Sequence, residues 1–329
     1  MIIEKLKVAL ILVCLCATNT LASENYADHP GAQAVIDELV QDQGFDRQQL
    51  QALFASAKRQ DSILEAMSRP AEKTKPWYDY REIFLTQRRE QEGIKFYNEH
   101  LETLQRAEQE LGVPAEMIVA IIGVETYYGR IAGSYRVIDA LSTLAFDYPK
   151  RATFFTKELK NYLILTNEQN MNALDMKGSY AGAMGYGQFM PSSYRSYAID
   201  FDDDGKIDIW NNPVDAIGSV ANYFKAHGWS SGEPVVAMAD VAEDVDPKWF
   251  NAGLKPQNSI GDLSQVGIVS RQALDADLEA TAIKFELEDG FEYWLGLHNF
   301  YVITRYNHSA MYAMCVYQLS QRLAVQIAR

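Results

Sequence analysis

Cysteine is scarce in this chain of 329 residues, and its placement narrows the options. Of the three cysteines, Cys14 and Cys16 lie in "VALILVCLCA", an apolar run preceded by Lys5 and Lys7 and followed by "TNTLAS". A basic start, a short apolar run and small residues at Thr20 and Ala22 make a secretory signal peptide, ending at about residue 22. The run is too short to span a membrane. Val13 and Leu15 stand immediately before the two cysteines, where lipid-attachment signals carry a small residue. A soluble periplasmic protein is therefore expected ahead of an outer-membrane lipoprotein. Export leaves Cys315, within "MYAMCVYQL", as the single thiol. It reads as a small buried hydrophobe, and the mature fold must stand on its core without an internal disulfide.

Other absences exclude other chemistries. The five histidines, His29, His100, His227, His298 and His308, show no paired spacing of the kind zinc needs. Lysine and arginine number 30 against 44 aspartates and glutamates, a net charge of −14, which argues against nucleic acid as a partner. There is no internal repeat, no low-complexity tract, no nucleotide-binding glycine motif and no serine nucleophile elbow. A hydrophobic content of 48% with 22% charged residues is ordinary for a soluble globular protein.

Helical patterning dominates what is present. From residue 23 to 112 the pattern predicts a helical domain. Asp46 and Gln49 form a capping-box arrangement there, and "SRPAEKTKPWYDY" is a proline-broken connector. A long helix is expected from Ile83 to Leu111, ended by Gly112, with Pro114 in the first turn of the next. Residues 113–229 carry further helices broken by "GSYAGAMGYGQFMPSSY", whose glycines permit close backbone approach or positive φ. Residues 230–296 change character: "ATAIKFEL" and "FEYWLGL" alternate around Glu288, Asp289 and Gly290, a hairpin in a small β-rich insertion. Residues 297–329 return to helix. The expected fold is mainly α with a β appendage.

The stretch "IVAIIGVETYYGR" holds the main chemical signal. Ile118, Ile121, Ile122 and Glu125 share one helical face, so a carboxylate ends an apolar stripe. No cation stands at i±3 or i±4. Desolvation would favour its protonated form, as a general acid requires. The structural alternative is a helix-end glutamate turned to water or paired with Arg130 or Arg136. Glycoside hydrolysis normally uses two carboxylates. The nearest second candidates, Asp139 and Asp147, both have structural readings, so a single-acid mechanism is considered.

"DFDDDGKIDIW", Asp200 to Trp210, matches a calcium loop, with aspartate at positions 1, 3, 5 and 9 and Gly205 at 6. Lys206 occupies position 7, which such loops use through its carbonyl. Asn211 stands at position 12 instead of glutamate. The expected cofactor is a structural Ca²⁺, with a bare acidic turn as the alternative. A calcium-sensor role is the weakest reading, since sensors pair such loops.

"VETYYGR", "DALSTLAFDYPKRATFF", "KGSYAGAMGYGQFMPSSY" and "YVITRYNHSAMYA", in this order, resemble the membrane-bound lytic transglycosylase B family over residues from about Ala32 to the C-terminus. The resemblance implies a lysozyme-like core in which Glu125 is the only catalytic acid. It would protonate the oxygen between N-acetylmuramic acid and N-acetylglucosamine. It would then deprotonate the muramic C6 hydroxyl, giving a 1,6-anhydro end. Ser179 and Gln188 would contact substrate near the scissile bond. Tyr306, Asn307 and Tyr312 would line the cleft, with Tyr80 from the helical domain. Arg151 belongs to a pair that is two arginines in the family and Lys150–Arg151 here, which weakens bidentate binding at that place. The loop would be closed by Asp215. Implied partners are peptidoglycan strands, with cell-wall synthesis or remodelling proteins beyond them, and the protein is expected to act as a monomer. The rivals are a hydrolytic muramidase and a non-catalytic wall-binding scaffold.

Overall fold

The structure is a computed structural model and describes residues 25–68 and 75–328. The signal segment and part of the proline connector lie outside the described residues. The N-terminal helices are α1 (Pro30–Gln43), α2 (Arg47–Ser56), α3 (Asp61–Ser68), α4 (Trp77–Phe84), α5 (Gln87–Glu99) and α6 (Leu101–Leu111). The middle of the chain forms α7 (Ala115–Thr126), α8 (Val137–Phe146), α9 (Ala152–Glu168), α10 (Pro191–Tyr197) and α11 (Pro213–Ala226). Two short strands join them, β1 (Tyr135–Arg136) and β2 (Lys177–Gly178). Next come β3 (Val236–Val241), β4 (Asn258–Ser259), α12 (Ile260–Gln265), β5 (Ile268–Ser270), β6 (Glu279–Glu286) and β7 (Phe291–Gly296). Helices α13 (His298–Tyr306) and α14 (Ala310–Ile327) end the chain.

Local signals act where the sequence puts them. Asp46 caps α2, accepting from the Gln49 N–H at 2.8 Å, and Gly112 ends α6 with φ 75°. The expected single helix from Ile83 to Leu111 is instead three elements. Thr86 leaves helical geometry to cap α5, its hydroxyl accepting from the Arg89 N–H at 3.2 Å. His100, with φ −122°, separates α5 from α6. Hydroxyl capping competes with the helical backbone. The turn at His100 lets α5 pack on α7 and α14 while α6 packs on α11. Pro114 is the N-cap of α7 and not its first residue.

The core runs through α7. Its sequence has an apolar face that ends in Glu125, but packing buries every residue from Met117 to Val124. A helix apolar on all sides belongs inside. Ile118, Ile121 and Ile122 are each 0% exposed, a burial that stabilises by about 2 kcal/mol per side chain. Helix α14 lies along α7 and also meets α4, α5 and α13, so the C-terminal segment rejoins the core.

The insertion is a five-stranded antiparallel sheet in the order β4-β6-β7-β3-β5. Its hairpin pairs Glu286 with Phe291 and turns through Gly290 at φ 88°. The sheet has an apolar cluster of its own around Ala237, Leu263, Ile268 and Leu295. Trp77 of α4 ties it to the helices, stacking on Phe285 at 4.7 Å and donating to Glu292 at 2.6 Å.

Candidate active site

Glu125 lies half-buried in the last turn of α7. Immediately after the helix, Tyr127, Tyr128 and Gly129 all take left-handed backbone, with φ of 52°, 61° and 83°. Such a conformation costs a non-glycine residue about 1–2 kcal/mol. Packing offsets that cost. The Tyr128 ring is buried and its hydroxyl donates to the Arg89 carbonyl at 2.9 Å. Thr126 Oγ1 donates to the Tyr186 carbonyl at 2.8 Å and accepts from the Gly129 N–H at 2.9 Å. The carboxylate therefore stands on a helix end pinned from both sides. Thr126, adjacent to Glu125, is a positioning residue that the sequence reading passed over.

The glycine-rich loop forms the next wall. Gly133, at φ 96°, and Gly178 bring two segments so close that a Cβ on Gly133 would lie 2.0 Å from the Gly178 carbonyl oxygen. The β1–β2 pairing, Tyr135 opposite Gly178, holds this approach. Ser179 begins a tight turn in which its hydroxyl accepts from the Ala183 N–H at 3.1 Å. Gln188, at φ 49°, donates its carboxamide to the carbonyls of Ala132 at 3.1 Å and Gly185 at 3.2 Å.

The α13–α14 junction closes the group. Tyr312 donates its hydroxyl to Glu125 Oε1 at 2.5 Å, and Tyr306 donates to the Gly187 carbonyl at 2.6 Å. Burial, with the Glu125 charge next, holds both phenols well above their ordinary pKa, so each stays a donor. Asn307 sits between them in extended backbone, and its carbonyl accepts from the Ser309 N–H at 2.7 Å. Tyr80 is buried in α4, near enough to Tyr312 to oppose ionisation of that phenol. Glu125, Tyr306, Tyr312 and Tyr80 are thus brought together. Arg151 is exposed, its guanidinium over the rings of Phe154 at 4.3 Å and Phe155 at 5.1 Å. His308 is exposed on the same junction.

The competing carboxylates have structural work. Asp139 accepts from the Lys58 N–H at 2.9 Å and forms a two-pronged pair with Arg136. Asp147 accepts from Tyr26 at 2.6 Å and pairs with Arg59 at 3.0 Å. Arg130 pairs with Glu92, so Arg130 and Arg136 both have carboxylate partners other than Glu125.

In the aspartate loop, carboxylate oxygens of Asp200, Asp202 and Asp204 lie within 4.8 Å of one another. Asp200 accepts from the N–H groups of Asp204 and Gly205, and Gly205 turns at φ 87°. Converging hard oxygens with no ion-paired base among the described residues fit a cation such as Ca²⁺. Asp215 departs from the expectation of a fourth member. It is fully buried beneath the loop and lies outside the trio, because its two oxygens accept from the Phe201 and Asp208 N–H groups, each at 2.8 Å. Burial raises its pKa, against the lowering effect of those two bonds.

A glutamate braced by tyrosines at the end of a buried helix, facing a glycine-rich loop in a mainly α fold, is the arrangement of a lysozyme-like glycan-cleaving enzyme. The Transglycosylase SLT domain family matches residues 27–321. The chain is 48% identical over 310 residues to membrane-bound lytic murein transglycosylase B of Escherichia coli K12, covering 92% of this chain and 84% of the relative. Its structure is similar to catenated lytic transglycosylase SltB1 from Pseudomonas aeruginosa, with a TM-score of 0.89 and 54% identity over 92% of this chain and 99% of the other. It is also similar to Escherichia coli lytic transglycosylase Slt35 in complex with calcium, with a TM-score of 0.85 and 48% identity over 92% and 96% of the two chains. The chain belongs to the Transglycosylase SLT domain family and is a peptidoglycan lytic transglycosylase. Among the described residues no helix is long and apolar enough to cross a membrane.

Proposed function

We propose that Glu125 is the single acid and base of this transglycosylase, and that it cleaves the bond between N-acetylmuramic acid and N-acetylglucosamine without water. The observation that carries the reading is the Tyr312 hydroxyl donating to Glu125 Oε1 at 2.5 Å, while Asp139 and Asp147 are held by arginines. Tyr312 fixes Oε1 as an acceptor, leaving Oε2 to carry the proton. That proton passes to the glycosidic oxygen as its bond to the muramic C1 breaks. The muramic C6 hydroxyl attacks C1 and returns its proton to Glu125, so atoms balance and no second carboxylate is needed to activate water. Ser179 and Gln188, on the loop that Tyr306 braces through Gly187, contact the sugar beside the scissile bond. Asn307 lines the cleft, the buried Tyr80 backs it from beside Tyr312, and Arg151 binds substrate farther out. A structural Ca²⁺ held by Asp200, Asp202, Asp204 and the Lys206 carbonyl fixes the aspartate loop, with Asp215 bracing it from below. The Slt35 complex with calcium supports that assignment. The chain acts in the periplasm, as three mature units and a return: helical residues 23–112, core 113–229, β-rich 230–296 and the final helices 297–329. The test is mass spectrometry of products released from purified sacculi by the mature protein. Anhydro-muropeptides, one water lighter than hydrolytic products, are expected. Reducing-end products would reassign Glu125 to a hydrolase.

A further inference from the structure

We infer that the groove between the end of α9 and the aspartate loop binds the peptide stem of the peptidoglycan strand, pairing its carboxylates with Lys177 and Lys206. This rests on the transglycosylase reading and extends it from the glycan to the peptide. The groove has a volume of about 440 Å³, within the range of roughly 300–1,000 Å³ common for ligand sites. Met171, Met176 and Ile207 give it apolar surface, and Trp210 forms one wall. The Trp210 indole N–H donates to the Lys177 carbonyl at 2.9 Å, which fixes the ring and ties the two walls together.

Charge in the groove is asymmetric. Its two acids are already satisfied locally. Asp175 accepts from the Asn172 carboxamide at 2.9 Å, and Asp208 accepts from the Trp210 and Asn211 N–H groups, each at 2.9 Å. The Lys177 and Lys206 side chains are exposed and take part in no ion pair among the described residues. In a chain of net charge −14, two uncommitted cations on one groove supply the local attraction that an anionic peptide would otherwise lack.

Position supplies the link to the reaction. Lys177 is two residues before Ser179 on an extended segment, about 7 Å away along the backbone. The same loop is tied to the groove where the Tyr186 N–H donates to the Ile209 carbonyl at 3.0 Å. A muramic residue seated at Ser179 carries a stem whose residues each reach up to about 3.5 Å. Few are needed to enter the groove. The isoglutamyl and C-terminal carboxylates of a stem suit the two lysines, and alanine methyls suit the methionines and Trp210.

The test compares wild type with the double variant K177A/K206A on peptide-bearing glycan strands and on the same strands stripped of stems by an amidase. The ratio of kcat/KM on bearing to stripped strands is expected to fall roughly fivefold, the scale of two exposed ion pairs, through KM. The K177R/K206R variant should restore it. An unchanged ratio, or equal losses on both substrates, would overturn the stem site. If wild type releases no anhydro ends from either substrate, the transglycosylase reading fails instead. A synthetic tetrapeptide stem then decides the groove alone. Saturable shifts of the Trp210 indole N–H resonance, lost in K177A/K206A, uphold the site, and their absence in wild type overturns it.

Discussion

Tyr312 reaches Glu125 from 187 positions further along the chain, so one hydroxyl separates positioning from proton transfer. Tyr312→Phe keeps the buried ring and removes the donor. As the proton leaves, Glu125 becomes a carboxylate, and a hydrogen bond to an ionised group is worth about 1.5–3 kcal/mol, so kcat should drop about ten- to a hundredfold with anhydro products unchanged. Glu125→Gln removes the proton itself, and a loss of about 10²- to 10⁴-fold is expected, with binding to sacculi retained in a pull-down. Wild-type turnover in Glu125→Gln would sink the single-acid mechanism. The carboxylate at the end of an apolar stripe was legible from spacing alone. Its tyrosine partner was not, because a phenol's distance from a glutamate depends on how α14 lies along α7.

At the scale of elements, helix ends set the backbone around the site. His227 stands at the C-terminus of α11, where the dipole would favour the charged form, while His100 stands between the C-terminus of α5 and the N-terminus of α6. Burial wins, and both are pushed below their ordinary pKa, with His227 stacked on Tyr223 at 4.0 Å. Each is therefore neutral in the fold. Their contribution to stability is present above the unfolded value of about 6.5 and is lost as pH falls through the lower folded value. Denaturant unfolding between about pH 7.5 and about pH 5, roughly one unit above and one and a half below that midpoint, should reveal a decline that is shallower in His227→Gln. An equal slope in the variant would remove His227 from the account. His100 also explains why the pattern from Ile83 to Leu111 misled. Periodicity continues across the break, and the chain turns there because α5 also packs on α14 and α6 on α11, with α7 common to both.

Across the whole molecule, the aspartate loop is a strut between regions. Arg106 of α6 donates to the Phe201 carbonyl and stacks on its ring at 3.8 Å, while Asp215 of α11 holds the Phe201 N–H from below. A cation bound to Asp200, Asp202 and Asp204 would stabilise the folded state by mass action, by about 2.7 kcal/mol at a hundredfold excess over Kd. Adding Ca²⁺ should raise the Tm of the wild type by several degrees and leave D200A/D204A unmoved. A calcium response that survives in the variant would place the ion elsewhere.

The sequence by itself determined what neighbours along the chain can decide. Asp46 capping α2, Gly112 ending α6, the hairpin through Gly290, the clustered aspartates and Glu125 closing an apolar face all follow from geometry within a few residues. Steric and hydrogen-bonding preferences at that range are set by residue type and spacing. Only the tertiary structure decided that Tyr312 braces Glu125, that Tyr306 holds Gly187 across 119 positions, that Asp215 braces the aspartate loop from beneath and lies outside its acidic trio, and that Lys177 and Lys206 meet on one groove. Those contacts join segments far apart in sequence. They exist because the whole chain must bury its apolar faces at once, a condition that no single window of residues contains.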